Sequence, residues 1–174
     1  MSLTPAERDV LAEARRATLA TIAADGHPRL VPICFVVADD VIWSPIDEKP
    51  KSTMEPRRLA RVRDIARDPR VTLLVDRWSE DWAELAWLRI EGRAELVESI
   101  DRVVQALRAK YPQYADHDLE HRPMLGISIE RAVSWFASAA DTDPTGRTID
   151  DLHAAALDAN PDDGVTRPAG AGSE

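Results

Sequence analysis

The chain has 174 residues, 44% of them apolar and 30% charged, and a formal net charge of −9. This length and apolar fraction suffice for one domain with a sizeable core, and an acidic chain disfavours non-specific binding to nucleic acid. No apolar run approaches the roughly 20 residues of a membrane-spanning helix, and the charged N-terminus is unlike a signal peptide. A single cysteine, Cys34, excludes an internal disulfide. We therefore expect a soluble, cytoplasmic protein.

The first predicted elements are a helix and two β-hairpins. The capping box Thr4-x-x-Glu7 predicts the helix start. Two β-rich runs follow, TLATIAA and RLVPICFVVAD, and the dipeptide Asp25-Gly26 between them is typical of a tight hairpin turn. A second reversal at Asp39-Asp40 precedes the short run VIWS.

The middle of the chain continues the β pattern. After a basic helix, VTLLVD indicates a buried strand, and Leu85 to Leu96 alternates with period two, as in an antiparallel strand with one buried face. A helix is predicted from Ile100 to Ala109 and a last strand from about Leu125 to Ala137. Six or so strands with few helices favour a small barrel. The composition then changes, so we predict a domain over residues 1–140 and a flexible tail over 141–174.

Positive charge is concentrated in residues 49–70, where eight basic residues accompany three acids. Lys49 and Lys51 precede Ser52-x-x-Glu55, a capping box that predicts a helix start. Lysines and free backbone N–H groups at a helix N-terminus form an anion site. The pattern therefore favours a phosphorylated small molecule as partner. The alternative for the arginines that follow is an ordinary solvated helix face.

Three further residue types allow narrower statements. Pro32 cannot donate a hydrogen bond to a sheet, so its strand is either an edge, with or without a bulge, or faces something flat other than a strand. Cys34, inside an apolar run, is expected to be a buried thiol and not a nucleophile. His117 and His121 are four residues apart, but the sequence implies no third ligand, so no metal site is predicted. Motifs for nucleophilic hydrolysis or nucleotide hydrolysis are missing from the sequence.

Several segments in order carry a family resemblance. They are ATIAADGHPRLVPICFVV, SPIDEKPKS, RDPRVTLLVD, RWSEDWAELAWLRIEGRAELV, KYPQY and IERAVSW. Over roughly residues 10 to 137 this order resembles the pyridoxamine-phosphate-oxidase-like proteins, and within them the coenzyme F420-dependent (deazaflavin) branch. The resemblance implies a mainly β (α+β) fold, a six-stranded antiparallel split β-barrel with flanking helices. It also implies a homodimer with a flavin or deazaflavin in a groove at the subunit interface.

The same resemblance implies roles for individual residues. The strand that contains Pro32 runs along the ring system, the Ser44 segment touches the ring and ribityl chain, and the Lys51 loop holds the phosphate. Arg57 and Arg58 assist with phosphate or with the polyglutamate tail of coenzyme F420. The implied cofactor-binding residues are Leu30, Val31, Pro32, Ile33, Ser44, Pro45, Ile46, Lys49, Lys51, Ser52, Arg57, Arg58 and Trp135.

Trp78 and Trp82 flank a loop on the expected substrate side. For these tryptophans and for Trp135 the alternative is ordinary core or interface packing. In this reading the reduced deazaflavin gives a hydride to an unidentified organic substrate and the protein orients both, without an identified catalytic residue. Two alternatives remain: an FMN-dependent oxidoreductase of the same fold, or a non-catalytic protein that binds flavin, deazaflavin or haem.

Overall fold

The computed structural model describes residues 3–46 and 55–137. Within these ranges one antiparallel sheet of seven strands is accompanied by three α-helices and three short 3₁₀ turns. In chain order the elements are α1 (Pro5–Glu13), β1 (Ala17–Ile22), β2 (Pro28–Ile33), β3 (Val36–Ala38), β4 (Val41–Pro45), a 3₁₀ turn (Pro56–Arg58), α2 (Ala60–Arg67), β5 (Arg70–Arg77), a 3₁₀ turn (Trp82–Glu84), β6 (Ala86–Val97), α3 (Asp101–Lys110), a 3₁₀ turn (Pro112–Tyr114) and β7 (Met124–Phe136).

The predicted capping box at the first helix is confirmed. The Thr4 backbone N–H donates to Glu7 Oε2 at 2.8 Å, and the Glu7 N–H donates to Thr4 Oγ1 at 3.3 Å. Glu7 also accepts a hydrogen bond of 2.9 Å from the Ser134 hydroxyl through its second carboxylate oxygen. The same buried carboxylate therefore starts α1 and fastens it to β7.

Both predicted hairpin turns are also confirmed. Gly26 has a φ of 85°, a conformation that glycine adopts without steric cost. Asp39 and Asp40 have φ angles of 53° and 58°, and the residues on either side of them, Ala38 and Val41, pair directly. Two consecutive positive φ angles define the turn whose twist matches that of the two strands it joins.

The strand order is β2-β1-β5-β6-β7-β4-β3, so the two edge strands, β2 and β3, are neighbours in the chain. Only Cys34 and Phe35 separate them. Because two residues span less than about 11 Å between strand ends, the sheet has to curl until its two edges nearly meet. The fold is therefore the split barrel that the sequence predicted.

The predicted number of six strands is wrong, because the run RLVPICFVVAD forms two strands in place of one. At the corner between them, the Phe35 N–H donates to the Tyr111 hydroxyl at 3.0 Å, and that hydroxyl donates to the Phe35 carbonyl at 2.9 Å. The tyrosine hydroxyl thus occupies the backbone groups that a neighbouring strand would otherwise use. In the described residues β2 and β3 do not pair, so the barrel stays open there.

Two clusters of buried side chains fill the molecule. The first lies between the sheet, α1 and α2, and its fully buried members include Leu19, Leu73 and Ile90. The second lies between α3, β3 and β4, around Leu107 and Met124. Each of these apolar side chains contributes about 1.5–3 kcal/mol by leaving water. The clusters support opposite sides of the corner at Cys34 and Phe35.

The period-two alternation predicted for β6 is confirmed. Ala86, Leu88, Ile90, Gly92 and Ala94 are buried, and the residues between them are partly or fully exposed. Gly92 lies at a register shift between β6 and β7, where an added Cβ atom would be 2.1 Å from the Ser128 carbonyl oxygen. This close approach explains why glycine stands there.

The helix predicted to follow the basic loop begins later than expected. Glu55 has an extended backbone and caps the short 3₁₀ turn through the Arg57 N–H, and α2 begins only at Ala60. Glu55 is therefore not the third helical residue that a capping box at Ser52 requires, because it lies outside a helix. Ser52 itself lies outside the described residues, as does the predicted tail, so the domain boundary near residue 140 stays a prediction.

Candidate functional site

The strand that contains Pro32 is an edge strand, as predicted. β2 pairs only with β1, in an unbroken register from Ala17 opposite Ile33 to Ile22 opposite Pro28, so there is no bulge between them. Leu30 and Pro32 point to solvent, and Leu30 is 62% exposed. Val31 is half-buried and Ile33 belongs to the core. The edge therefore presents an apolar strip without a neighbouring strand in this chain.

The corner at Cys34 and Phe35 brings the end of β4 beside the end of β2. Val36 pairs with Trp43, and continuing that antiparallel register places Ser44 opposite Phe35. Ser44, Pro45 and Ile46 are all buried. The Ile46 N–H donates to the Pro123 carbonyl at 3.2 Å, so the chain is still held against the start of β7 at this point.

Lys49, Lys51 and Ser52, the predicted phosphate-binding residues, lie outside the described residues, and their role stays a prediction. The structure does fix the two ends of their segment. The chain enters it from buried Ile46, beside the corner, and leaves it at exposed Glu55, before the 3₁₀ turn.

Arg57 and Arg58 lie on the 3₁₀ turn and are exposed. Neither forms an ion pair with a carboxylate of residues 3–46 or 55–137, and the same is true of the exposed Arg63 on α2. The segment from Glu55 to Arg67 holds five arginines and two acids. Exposed guanidinium groups of this kind suit phosphate or carboxylate ligands, which they can bind with two parallel hydrogen bonds.

A buried carboxylate anchors α2 to the first hairpin. Asp64, 4% exposed, accepts hydrogen bonds from Thr21 Oγ1 at 3.0 Å and from Arg29 Nε at 2.8 Å. The Arg67 guanidinium is 3.7 Å from the other oxygen, and it also donates to the Ile22 carbonyl. We call these four side chains, Thr21, Arg29, Asp64 and Arg67, the Asp64 cluster.

Burial by itself would raise the pKa of Asp64. Hydrogen bonds from Arg29 and Thr21, together with the charges of Arg29 and Arg67, outweigh that effect and hold the pKa below its ordinary value. The carboxylate therefore stays ionised at neutral pH. Its function is to fix α2, and with it the exposed arginines before the helix, against the strand that carries Leu30. Sequence reasoning missed this cluster because Asp64 is 35 residues from Arg29, and no local pattern links them.

The structure does not bring Trp135 to the Ser44 segment within one chain. Trp135 pairs with Trp87 near the end of β7, whereas Ser44 pairs with Leu125 near its start. Ten residues separate Trp135 from Leu125 along β7, which corresponds to about 30 Å of extended strand. Trp135 is half-buried against its sheet neighbours.

Trp78 and Trp82 lie in the β5–β6 connection, and each is 72% exposed. The connection is held by its own hydrogen bonds: Ser79 Oγ donates to Glu84 at 2.9 Å and accepts from the Asp81 N–H at 3.1 Å. The indoles are thus presented to solvent by an ordered loop. Such exposure of large apolar side chains is typical of a surface that another molecule covers.

The two histidines have different neighbours. The His117 ring contacts the Tyr114 ring edge-on at 5.5 Å between centroids, and His121 Nδ1 is 2.9 Å from Asp118 Oδ1. In the described part of the chain no three metal-ligating side chains come together.

None of the helices in the described part of the chain has the length and apolar character to cross a membrane.

Comparison with known proteins agrees with this architecture. The family model described as pyridoxamine 5'-phosphate oxidase matches residues 3–136, and the chain belongs to this family, whose fold binds flavin-type cofactors. No curated protein matches the chain.

Several solved structures share the fold. A conserved hypothetical protein, Rv2991, of Mycobacterium tuberculosis is 26% identical with a TM-score of 0.63, over 79% of this chain and 87% of that one. An F420 reductase is 17% identical with a TM-score of 0.57, over 75% and 98% of the two chains. The haem storage protein HutZ of Vibrio cholerae is 16% identical with a TM-score of 0.58, over 78% and 95%. At these last two identities the likeness is one of fold alone.

Proposed function

We propose that the chain is a coenzyme F420-dependent oxidoreductase that acts as a homodimer on an unidentified small organic substrate. The observation that carries the proposal is that the Asp64 cluster joins β2, the strand with the apolar strip, to α2, the helix that the exposed Arg57 and Arg58 precede. Leu30 is exposed on that strip, and the Asp64 cluster fastens α2 to the same hairpin through Arg29. A flat ring with an anionic tail needs both features.

The residues present fit a deazaflavin with an acidic tail. Pro32 has no N–H, so at this position a flat ring that covers the edge leaves no backbone donor without a partner. Arg57 and Arg58 are exposed and pair with no carboxylate in the described chain, which leaves them available for phosphate or glutamate groups. Lys49, Lys51 and Ser52 are proposed to hold the phosphate. When bound, the reduced deazaflavin supplies a hydride.

A homodimer is supported by the outward face of the sheet. Thr18, Leu74 and Arg89 are successive cross-strand neighbours on that face, with Pro32 beyond Thr18 and Val133 beyond Arg89. Leu74 is 42% exposed in the middle of it. Monomeric proteins rarely leave such a surface uncovered, and a two-fold dimer covers it with a copy of itself.

A second copy also gives Trp135 a role. In its own chain Trp135 is distant from the end of β4, so we propose that it approaches the cofactor groove of the partner subunit. Trp78 and Trp82, on their exposed loop, are proposed to line the substrate side. The chain's own contribution to the reaction is then to bind and orient the cofactor and the substrate and to exclude water. We assign no residue as a dedicated proton donor.

Two other functions share this fold. FMN has a phosphate and a flat ring but no polyglutamate tail, so it needs the β2 strip and the Lys51 loop and makes less use of Arg57 and Arg58. A haem storage protein is among the structures of similar fold, so a non-catalytic haem-binding role is the third candidate.

The deciding experiment is a titration of the purified full-length chain with coenzyme F420, FMN and haem in parallel, followed by quenching of tryptophan emission. We expect F420 to bind with a dissociation constant of about 1 µM or below and FMN at least tenfold more weakly. A preference for FMN or haem replaces the proposal with that alternative, and binding of none of the three refutes it.

Two sets of variants test the assigned residues. Lys51→Ala is expected to weaken both F420 and FMN, because both carry the phosphate. The double variant Arg57→Ala with Arg58→Ala is expected to weaken F420 about tenfold and FMN little, since only F420 has the acidic tail. Arg63→Ala removes an exposed arginine from α2 and serves as control. Equal effects of all variants on F420 would indicate a general charge effect without a defined site.

The dimer has its own test. Leu74→Asp places a charge in the middle of the outward face and is expected to convert a dimer to a monomer by light scattering. Ala66→Asp introduces the same charge at an exposed position of α2 and is expected to leave the dimer intact. A wild-type chain that is monomeric at micromolar concentration contradicts the interface.

A further inference from the structure

A cavity lies between α1, β3 and α3. It has a volume of about 490 Å³, within the range typical of small-molecule pockets. Its walls are mainly apolar and include Leu3, Leu11, Val36 and Val37, and two basic residues, Arg8 and Lys110, also line it. None of its described lining residues is acidic.

The two basic residues differ in how their charge is balanced. Arg8 forms an ion pair of 3.1 Å with Asp40. The Lys110 ammonium donates to the Leu11 carbonyl at 2.8 Å and lies 4.1 Å from the centre of the Phe35 ring. No carboxylate of the described residues is within ion-pair distance of it. Lys110 is thus a half-buried cation next to an apolar cavity, without a counter-charge from residues 3–46 or 55–137.

A second positive group increases this imbalance. Arg15 donates to the Lys110 carbonyl and stacks over the Tyr111 ring, with its guanidinium carbon 4.6 Å from the ring centre. An ammonium group has three N–H donors, and the carbonyl of Leu11 takes one of them. The remaining donors can bind an anion that enters the cavity.

We propose that this cavity binds an apolar monocarboxylate, such as a fatty acid, with the carboxylate on the Lys110 ammonium and the hydrocarbon between α1, β3 and α3. One uncompensated cation matches one carboxylate, whereas a phosphate carries more charge and needs more donors than these walls provide. The walls match the hydrocarbon, because removal of its CH₂ groups from water is favourable. Exposed Ala12 and Ala109 line the cavity and mark its opening to solvent.

The charge state of Lys110 gives a further readout. Burial, and to a smaller extent the Arg15 charge, lower its pKa to about 8 against an opposing effect of Cys34. The Tyr111 ring centre is 5.7 Å from the ammonium, and burial raises the pKa of its hydroxyl. Arg8 is a second charged residue on the cavity wall. Carboxylate binding is therefore expected to weaken as the pH rises through about 8.

The test is calorimetric titration of the full-length chain with dodecanoate, below its micelle concentration, and with dodecanol. We expect dodecanoate to bind with a dissociation constant on the order of 10 µM and dodecanol at least tenfold more weakly. Lys110→Arg keeps the cation and is expected to keep most of the affinity, whereas Lys110→Met is expected to lose about tenfold or more. Arg63→Met, an exposed arginine on α2, is the control for lost charge.

A second variant fills the cavity without changing its charge. Ala12→Trp, at an exposed position of the cavity wall, is expected to abolish dodecanoate binding, and Ala66→Trp, exposed on α2, is expected to leave it unchanged. The Ala12 variant also decides the matter if Lys110→Met does not fold. Absence of wild-type binding, equal affinity for dodecanol, or full affinity in Ala12→Trp would overturn the proposal.

Discussion

The Asp64 cluster and the surroundings of Lys110 each contain a charged group that is partly or fully removed from water, and the two regions differ in the partners they give that charge. In the Asp64 cluster a buried carboxylate is met by two guanidinium groups and a hydroxyl. Among the residues that the structure describes, Lys110 has a carbonyl and aromatic rings as neighbours and no carboxylate. The pKa values reflect this difference. The pKa of Asp64 is lowered, which keeps the carboxylate charged, whereas the pKa of Lys110 is lowered to about 8, which favours the neutral amine.

This difference separates a structural charge from a charge that is available to a ligand. The Asp64 carboxylate is satisfied within the chain, so it fixes α2 and has little capacity left for another partner. Lys110 retains donors and an uncompensated charge beside a cavity. Groups that are incompletely satisfied in a folded chain are the better candidates for binding.

The largest effect is expected from Asp64→Asn. It leaves the positive charge of Arg29 and Arg67 without a buried counter-ion, at a cost of about 2 kcal/mol in the free energy of unfolding, because Arg29 is still partly solvated. Urea denaturation at pH 7 measures the loss. A variant as stable as the wild type would show that the cluster does not anchor α2.

The pH dependence of that loss follows from the sign of the shift. The folded-state pKa of Asp64 is below its ordinary value of 3.8, so its stabilisation is fully present above that pH and disappears as the pH falls through the folded-state value. The stability difference between wild type and Asp64→Asn is therefore expected to shrink below about pH 4. A difference that stayed constant to pH 2 would contradict the assignment.

A smaller effect is expected from Thr21→Val. Thr21 is 1% exposed and its hydroxyl donates to Asp64, so the isosteric change removes one buried hydrogen bond and costs about 1 kcal/mol. Thermal unfolding of Thr21→Val beside the wild type should show this loss, and an unchanged unfolding temperature would contradict the role of the hydroxyl.

For Lys110 stability also rises with pH, but because the group loses an unfavourable charge, whereas Asp64 gains a favourable one. Because its folded-state pKa is about 8 and its ordinary value 10.5, the unfolded chain holds the proton more tightly between these values. Stability should then rise with pH from about 8 to 10, by about 0.5–1 kcal/mol after allowance for the water that still reaches the ammonium. Lys110→Met should lack this rise. If Lys110→Met showed the same rise in stability as the wild type, the rise would have to come from another titratable group.

The smallest effect is expected from Asp68→Asn. Asp68 accepts a hydrogen bond of 2.6 Å from Arg70, and this hydrogen bond lowers the pKa of Asp68 to about 2. The pair is at the surface, where water and salt screen it, so we expect no measurable change in the unfolding temperature. A loss comparable to that of Asp64→Asn would remove the distinction between buried and exposed ion pairs in this chain.

Much of the fold follows from local sequence. The capping box at Thr4, the turns at Asp25-Gly26 and Asp39-Asp40, and the alternation along β6 were predicted and are confirmed. The edge position of Pro32 and the family were predicted as well. These features depend on residues close together in the chain, whose backbone preferences act independently of the rest of the fold.

Other features depend on residues that are far apart in sequence. The run RLVPICFVVAD reads as one strand, and it divides at Cys34 and Phe35 because a tyrosine 76 residues later bonds the corner. Glu55 looks like part of a capping box, yet the helix begins at Ala60. Of the candidate site, the β2 strip was predicted, whereas the Asp64 cluster and the Lys110 cavity were not.

The sequence by itself determined the types and order of the elements, their turns, the edge strand and the concentration of basic residues. Tertiary structure alone decided which charges are satisfied and which are left for a ligand. A carboxylate is satisfied only if packing brings donors to it, as Thr21 and Arg29 are brought to Asp64. Lys110 shows the contrary case, because the helices and strands described around it supply rings and a carbonyl but no acid.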